Sequence, residues 1–124
     1  MLADLDRLAG TVTEAGVAVA LHREGDAEVP AGVQLCAYRI AQEALTNVLR
    51  HAHAGRADVI VRVNGTAVEL EVRDDGDGTD AGPGNGIRGM RERAGLLGGT
   101  LSAGPDPERG GFVVRAHLPW TVDG

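Results

Sequence analysis

Three short stretches of this sequence carry residue types that could hold a charged ligand. Residues 42–52 read Gln-Glu-Ala-Leu-Thr-Asn-Val-Leu-Arg-His-Ala. On a helix Glu43, Asn47 and His51 recur every four residues and share one face, with Arg50 beside them. An amide oxygen in that row could ligate Mg²⁺, and Arg50 offers positive charge to phosphates. The solvated side of an ordinary amphipathic helix would look the same. The second stretch is Asp74-Asp75-Gly76-Asp77-Gly78. An acid at a strand end, followed by close glycines, can accept a hydrogen bond from a donor such as the exocyclic amine of adenine while backbone approaches the ligand. An ordinary Asp/Gly loop has the same composition. A calcium loop does not fit, because glycine occupies its third position and the closing bidentate Glu is missing. The third stretch is Gly84-Asn85-Gly86-Ile87-Arg88-Gly89-Met90, running into Arg91-Glu92-Arg93. Glycines just before a helix expose N–H groups that can cradle phosphates. A dinucleotide fold needs a strand directly before such glycines, and Asp80-Ala81-Gly82-Pro83 cannot be a buried one. The chain has no lysine, so the usual P-loop is excluded.

Positioning these stretches requires a particular set of elements. Leu2, Leu5, Leu8 and Val12 are spaced for a short helix over residues 2–14, ended by Gly16. Val17, Val19 and Leu21 alternate, which predicts a strand over 17–23. Residues 25–30 form a turn, with Pro30 suited to a helix start. The longest helix runs over 33–51, with Leu35, Cys36, Ile40, Ala44, Leu45, Val48 and Leu49 as its apolar set. Strands over 57–63 and 68–72 flank Asn64-Gly65, a strong hairpin signal. A helix over about 87–97 is stopped by Gly98-Gly99. Two last strands, 100–103 and 111–118, bracket the turn Gly104-Pro105-Asp106-Pro107. The expected fold is a two-layer α/β sandwich, a mixed, largely antiparallel sheet packed on about three helices, with a polar loop before the third.

Bulk properties narrow the function. The chain has 124 residues, which suits one domain spanning 1–124. Aromatics are only 2 %, so the core must be built from Leu, Val, Ile and Ala. Formal net charge is −6, and the arginines are scattered apart from Arg88, Arg91 and Arg93, so nucleic acid is not an expected partner. Cys36 is the only cysteine, which excludes an intrachain disulfide and argues against a thiolate metal cluster. The longest apolar run near the N-terminus, residues 15–21, is too short to span a bilayer and lacks a signal-peptide pattern. A cytoplasmic location is expected, with any anchor of a membrane-bound parent outside this chain.

Taken in order, the three stretches resemble the N, G1 and G2 boxes of the GHKL (Bergerat-fold) ATPases. Residues 39–52 are similar to the N box of bacterial two-component sensor histidine kinases of the subgroup that signals to helix-turn-helix response regulators. The run from Gly86 to Arg93, Leu97-Gly98-Gly99, and Gly110-Gly111-Phe112 with Leu118-Pro119 are similar to that subgroup's later motifs. The resemblance covers residues 15–119. It implies a catalytic domain that binds ATP and Mg²⁺ and transfers the γ-phosphoryl group to a histidine elsewhere. Asn47 would be the metal ligand and Asp74 the adenine acceptor. Gly76 and Gly78 would shape the adenine pocket, Gly84, Gly86 and Gly89 would lie on the phosphate side, and Arg50 and His51 would contact the nucleotide. Ile87 and Met90, within the third box, complete the nucleotide-binding set. Residues from Asp77 to about Arg88 would be the ATP lid. Glu43 stands where related ATPases carry a water-activating Glu and could take the proton of the acceptor imidazole, or simply pair with Arg39 or Arg50. Asp75 stands where Asn is commoner, and would make the pocket more negative. Phe112 replaces a frequent Thr, and no clear phenylalanine box is present.

None of His22, His51, His53 and His117 heads a long helix, so the phosphoacceptor is expected on a separate dimerisation domain. The partners implied are that domain and, indirectly, a response regulator. The parent is expected to be a homodimer and this chain by itself a monomer. Two rivals share the fold: a protein serine kinase of the anti-sigma-factor type, and a non-catalytic nucleotide-sensing module.

Overall fold

A computed structural model of the chain describes residues 4–25, 27–51, 54–76, 86–108 and 110–120. The elements in order are α1 (Leu5–Glu14), β1 (Ala18–Glu24), α2 (Ala31–His51), β2 (Arg56–Val63), β3 (Ala67–Asp74), α3 (Ile87–Leu96), β4 (Thr100–Pro105) and β5 (Phe112–Pro119). The strands form one sheet in the order β1-β2-β3-β5-β4. β1 pairs parallel with β2, and every other pairing is antiparallel. Parallel neighbours need a long crossover, and α2 with its 21 residues provides it. The expected mixed, largely antiparallel sheet on three helices is therefore what the chain forms.

The core lies between the helices and one sheet face. Val59 and Val61 on β2, Val68, Leu70 and Val72 on β3, and Val114, Ala116 and Leu118 on β5 are buried there. Against them α2 sets Ala37, Ile40, Ala41, Ala44 and Leu45, all at most 2 % exposed. The small alanines let helix and sheet approach closely, which suits a chain nearly without aromatic rings. Leu35 and Leu49, expected in this stripe, are instead 41 % and 39 % exposed. They stand at the edges of a helix whose buried face is already filled by the alanines.

The other sheet face is open and charged. Glu71 on β3 accepts hydrogen bonds from Arg73 at 2.6 Å and from Arg115 on β5 at 2.7 Å. Glu69 pairs with His117 across the same two strands. Burial alone would raise the Glu71 pKa, but the two arginines outweigh it and hold the carboxyl below its ordinary value.

Two turns differ from expectation. Asn64-Gly65 does join two strands, but Gly65 is not among the positive-φ glycines that a type I′ turn would use. The Asn64 side chain organises the turn, its oxygen accepting the N–H groups of Thr66 at 2.8 Å and Ala67 at 2.9 Å. Beside this turn the Trp120 N–H donates to the Thr66 carbonyl at 2.9 Å. Gly104 and Pro105, expected in a turn, extend β4, where Pro105 lies opposite Phe112. β4 is an edge strand, which tolerates a residue without an N–H donor. The reversal therefore falls on residues 106–111.

Candidate functional site

α2 and the start of α3 bring the first and third stretches together. Pro30 ends the preceding segment, and its carbonyl accepts the Gln34 N–H at 3.0 Å, so helical bonding begins at once. Along α2 the side chains of Glu43 and Asn47 are half-buried and Arg50 is exposed. The His51 side chain lies outside the described residues. α3 starts at Gly86, whose φ of 91° is a left-handed value that glycine adopts without strain. Its carbonyl accepts the Met90 N–H at 3.0 Å and so opens the helix. A Cβ placed on Gly86 would lie 2.1 Å from Glu43 Oε1 and 2.7 Å from its Cδ. The first turn of α3 thus sits directly against the Glu43 side chain, which would have to move to admit a side chain at position 86. Among the described residues Glu43 makes no ion pair with Arg39 or Arg50. Ile87 is 9 % and Met90 1 % exposed, so both belong to the core beneath this junction. Gly89 lies within the first turns of α3 with open space where its Cβ would be. Gly78 and Gly84, with residues 77–85 of the lid expected from Asp77 to about Arg88, lie outside the described residues, while Ile87 and Arg88 belong to α3.

The second stretch begins at the end of β3. Asp74 Oδ1 accepts the Gly76 N–H at 2.8 Å, an Asx turn that fixes the carboxylate as the chain leaves the sheet. Asp75 is held by a different set of donors. Its Oδ1 accepts the N–H groups of Gly55 at 2.9 Å and Arg56 at 3.0 Å, at the start of β2. Backbone donors thus fix the orientation of this carboxylate, which stays in the same cleft as Asp74. An asparagine oxygen could serve the same two donors.

Sequence reasoning missed the reversal at 106–111. Asp106, the one buried charged side chain among the described residues, accepts the Glu108 N–H at 3.0 Å and lies 3.5 Å from Arg73. Gly111, at φ 78°, is backed against the Asp74 carbonyl. A cleft of about 130 Å³ lies among Arg56, Arg73, Asp74, Asp75 and Asp106. The doublet Gly110-Gly111 was the available signal, but only tertiary contact reveals what it approaches.

The donor set suits magnesium. Asn47 offers a hard amide oxygen, and Mg²⁺ typically takes only one or two protein oxygens, with phosphates and water completing its shell. No group of three His, Cys, Asp or Glu capable of caging a metal occurs among the described residues. No described helix is long and apolar enough to cross a membrane.

Residues 32–122 match the family described as histidine kinase-, DNA gyrase B-, and HSP90-like ATPase. The chain is 38 % identical over 107 residues to the sensor histidine kinase YxjM of Bacillus subtilis (strain 168), covering 84 % of this chain and 26 % of that protein. It is 35 % identical over 94 residues to the oxygen sensor histidine kinase NreB of Staphylococcus carnosus (strain TM300), covering 72 % and 27 %. It spans about a quarter of the length of these curated relatives. Among solved structures, the histidine kinase domain of the blue-light activated histidine kinase EL346 from Erythrobacter litoralis superposes with a TM-score of 0.69 at 26 % identity, covering 95 % of this chain and 60 % of that one. The ATP binding domain of PrrB from Mycobacterium tuberculosis, at 24 % identity, shares the fold with a TM-score of 0.68 over 95 % of this chain and 92 % of that one.

Proposed function

The chain belongs to the histidine kinase-, DNA gyrase B-, and HSP90-like ATPase family, and from that membership we propose that it binds Mg·ATP and presents the γ-phosphoryl group to a histidine on a separate dimerisation domain. The observation that carries this reading is the junction of Glu43 with Gly86, which unites two segments far apart in sequence into one polar site. The relatives named as sensor histidine kinases favour this acceptor over the serine of an anti-sigma-type kinase. Residues 1–124 form one catalytic domain. The complete kinase acts as a homodimer in the cytoplasm and signals through a response regulator, while this domain alone is a monomer. Leu35 and Leu96, exposed at the groove between α2 and α3, offer apolar surface to the dimerisation domain.

Asp74 accepts the adenine amine, with Gly76 and Gly78 letting backbone approach the ring. Gly84, Gly86 and Gly89 line the phosphate side, Ile87 and Met90 support it from the core, and Arg50 and His51 contact the nucleotide. Asn47 holds Mg²⁺ through its amide oxygen; when bound, the ion neutralises charge on the phosphates. In the transfer step the acceptor imidazole nitrogen bonds to the γ-phosphorus, the bond from that phosphorus to the ADP oxygen breaks, and the Glu43 carboxylate takes the imidazole proton.

Thermal unfolding tests the nucleotide part. ATP at about 100 times its dissociation constant adds about 2.7 kcal/mol of apparent stability. Asn47→Ala should lose the magnesium-dependent share of that gain and keep some adenine affinity; equal shifts for both proteins would remove Asn47 from the metal site. GTP, which presents a carbonyl to Asp74, should bind more weakly by about 1–3 kcal/mol. The isolated chain should not label itself stably, and adding a dimerisation domain should restore weak histidine phosphorylation.

A further inference from the structure

We propose that Asp75 and the reversal at residues 106–111 are positioning elements for Asp74, so that the preference for adenine depends on groups that never touch the base. The inference rests on the role of Asp74 as the adenine acceptor and concerns what holds it in place.

On one side, the chain immediately after Asp74 is tied to the start of β2 by three bonds. Asp75 Oδ1 accepts the N–H groups of Gly55 and Arg56, and the Asp75 N–H donates to the Arg56 carbonyl at 3.1 Å. On the other side, Gly111 leaves no slack. A Cβ there would stand 2.0 Å from the Asp74 carbonyl oxygen, 2.9 Å from its carbon and 3.3 Å from Asp75 Cα. These are backbone atoms, which cannot swing aside. Gly111 is itself held, because its carbonyl accepts the Asp106 N–H at 2.9 Å while the Asp106 carbonyl accepts the Gly110 N–H at 3.1 Å. The buried Asp106 carboxylate then faces the guanidinium of Arg73, the residue preceding Asp74. The peptide carrying Asp74 is thus pinned from both flanks. A hydrogen bond to a base edge weakens steeply once its distance or angle departs from the normal range, so small displacements of that peptide translate into lost discrimination.

The test compares ATP with inosine triphosphate, which differs in carrying a carbonyl in place of the exocyclic amine. Titrations with Mg²⁺ on the wild-type chain should favour ATP by roughly tenfold. Asp75→Ala and Gly111→Ala should reduce that ratio to about two- or threefold, by weakening ATP while leaving the inosine nucleotide nearly unchanged. Asp75→Asn, whose amide oxygen can still accept both N–H groups, should restore it. Should Gly111→Ala fail to fold, the exposed Asp75→Ala decides alone, with its fold checked by circular dichroism. An unchanged ratio in Asp75→Ala, or equal weakening of both nucleotides, overturns the proposal. A wild-type chain that binds both nucleotides equally overturns the role of Asp74 and the proposal with it, and is recognisable because it appears before any substitution.

Discussion

Two glycines at left-handed φ back onto the two acidic residues of the site, and they do so in different ways. Gly86 abuts the far end of the Glu43 side chain, a carboxylate on rotatable bonds. Gly111 abuts the backbone carbonyl of Asp74. On the proposed reading, the phosphate end of the site is therefore built against something that can move, and the adenine end against something that cannot. Recognition of a flat base rewards rigidity, whereas proton transfer from an incoming imidazole benefits from an adjustable carboxylate.

Substitution can break this contrast. Gly111→Ala should cost about 2–4 kcal/mol of stability, from left-handed strain plus a backbone clash. Chemical denaturation measures it, and a cost near that of Gly86→Ala would erase the distinction between the two ends. Glu43→Gln should slow phosphoryl transfer to a supplied dimerisation domain by about a hundredfold, the scale of a positioned base. ATP affinity, titrated separately, should barely change; an unaltered transfer rate would leave Glu43 a structural neighbour of Gly86 only. Gly86→Ala should cost only the strain, about 1–2 kcal/mol, because the Glu43 carboxylate can rotate away. If the contact is as described, the cost in a Glu43→Ala background should differ little, since the double-mutant cycle then reports no rigid clash.

The smallest effect concerns the open sheet face. Glu71 titrates below its ordinary value of 4.5 in the folded chain. A depressed carboxyl pKa stabilises the fold above the unfolded value, and the contribution disappears as pH falls through the folded one. Glu71→Gln should therefore cost about 1–2 kcal/mol at neutral pH, and the difference from wild type should shrink from about pH 4.5 downward. Melting curves across that range check it, and a difference independent of pH would mean that the loss comes from packing rather than charge.

Much of the architecture was legible because it follows from periodicity. Alternating valines placed β2 and β3, and the four-residue recurrence of Glu43 and Asn47 placed them on one helix face. Pattern alone does not say which neighbours fill a face, so Leu35 and Leu49 were expected inside although the alanines already close that surface. Nor does it reveal which way a carboxylate turns. Asp74 and Asp75 are adjacent and chemically identical, and only the structure shows that one accepts the Gly76 N–H and the other the N–H groups of Gly55 and Arg56. The reversal after β4 was placed two residues early because Gly and Pro normally mark turns, while an edge strand tolerates both.

The single tryptophan offers a practical consequence. Trp120 docks beside the Asn64 turn, at the end of β3 opposite Asp74. Seven strand steps of about 3.3 Å put roughly 23 Å between that end and Asp74, the proposed adenine acceptor. Its indole emission should therefore follow loss of the fold while remaining blind to occupancy of the pocket. With excitation at the red edge of indole absorption, beyond that of the nucleotide bases, one optical signal can then monitor unfolding with nucleotide bound.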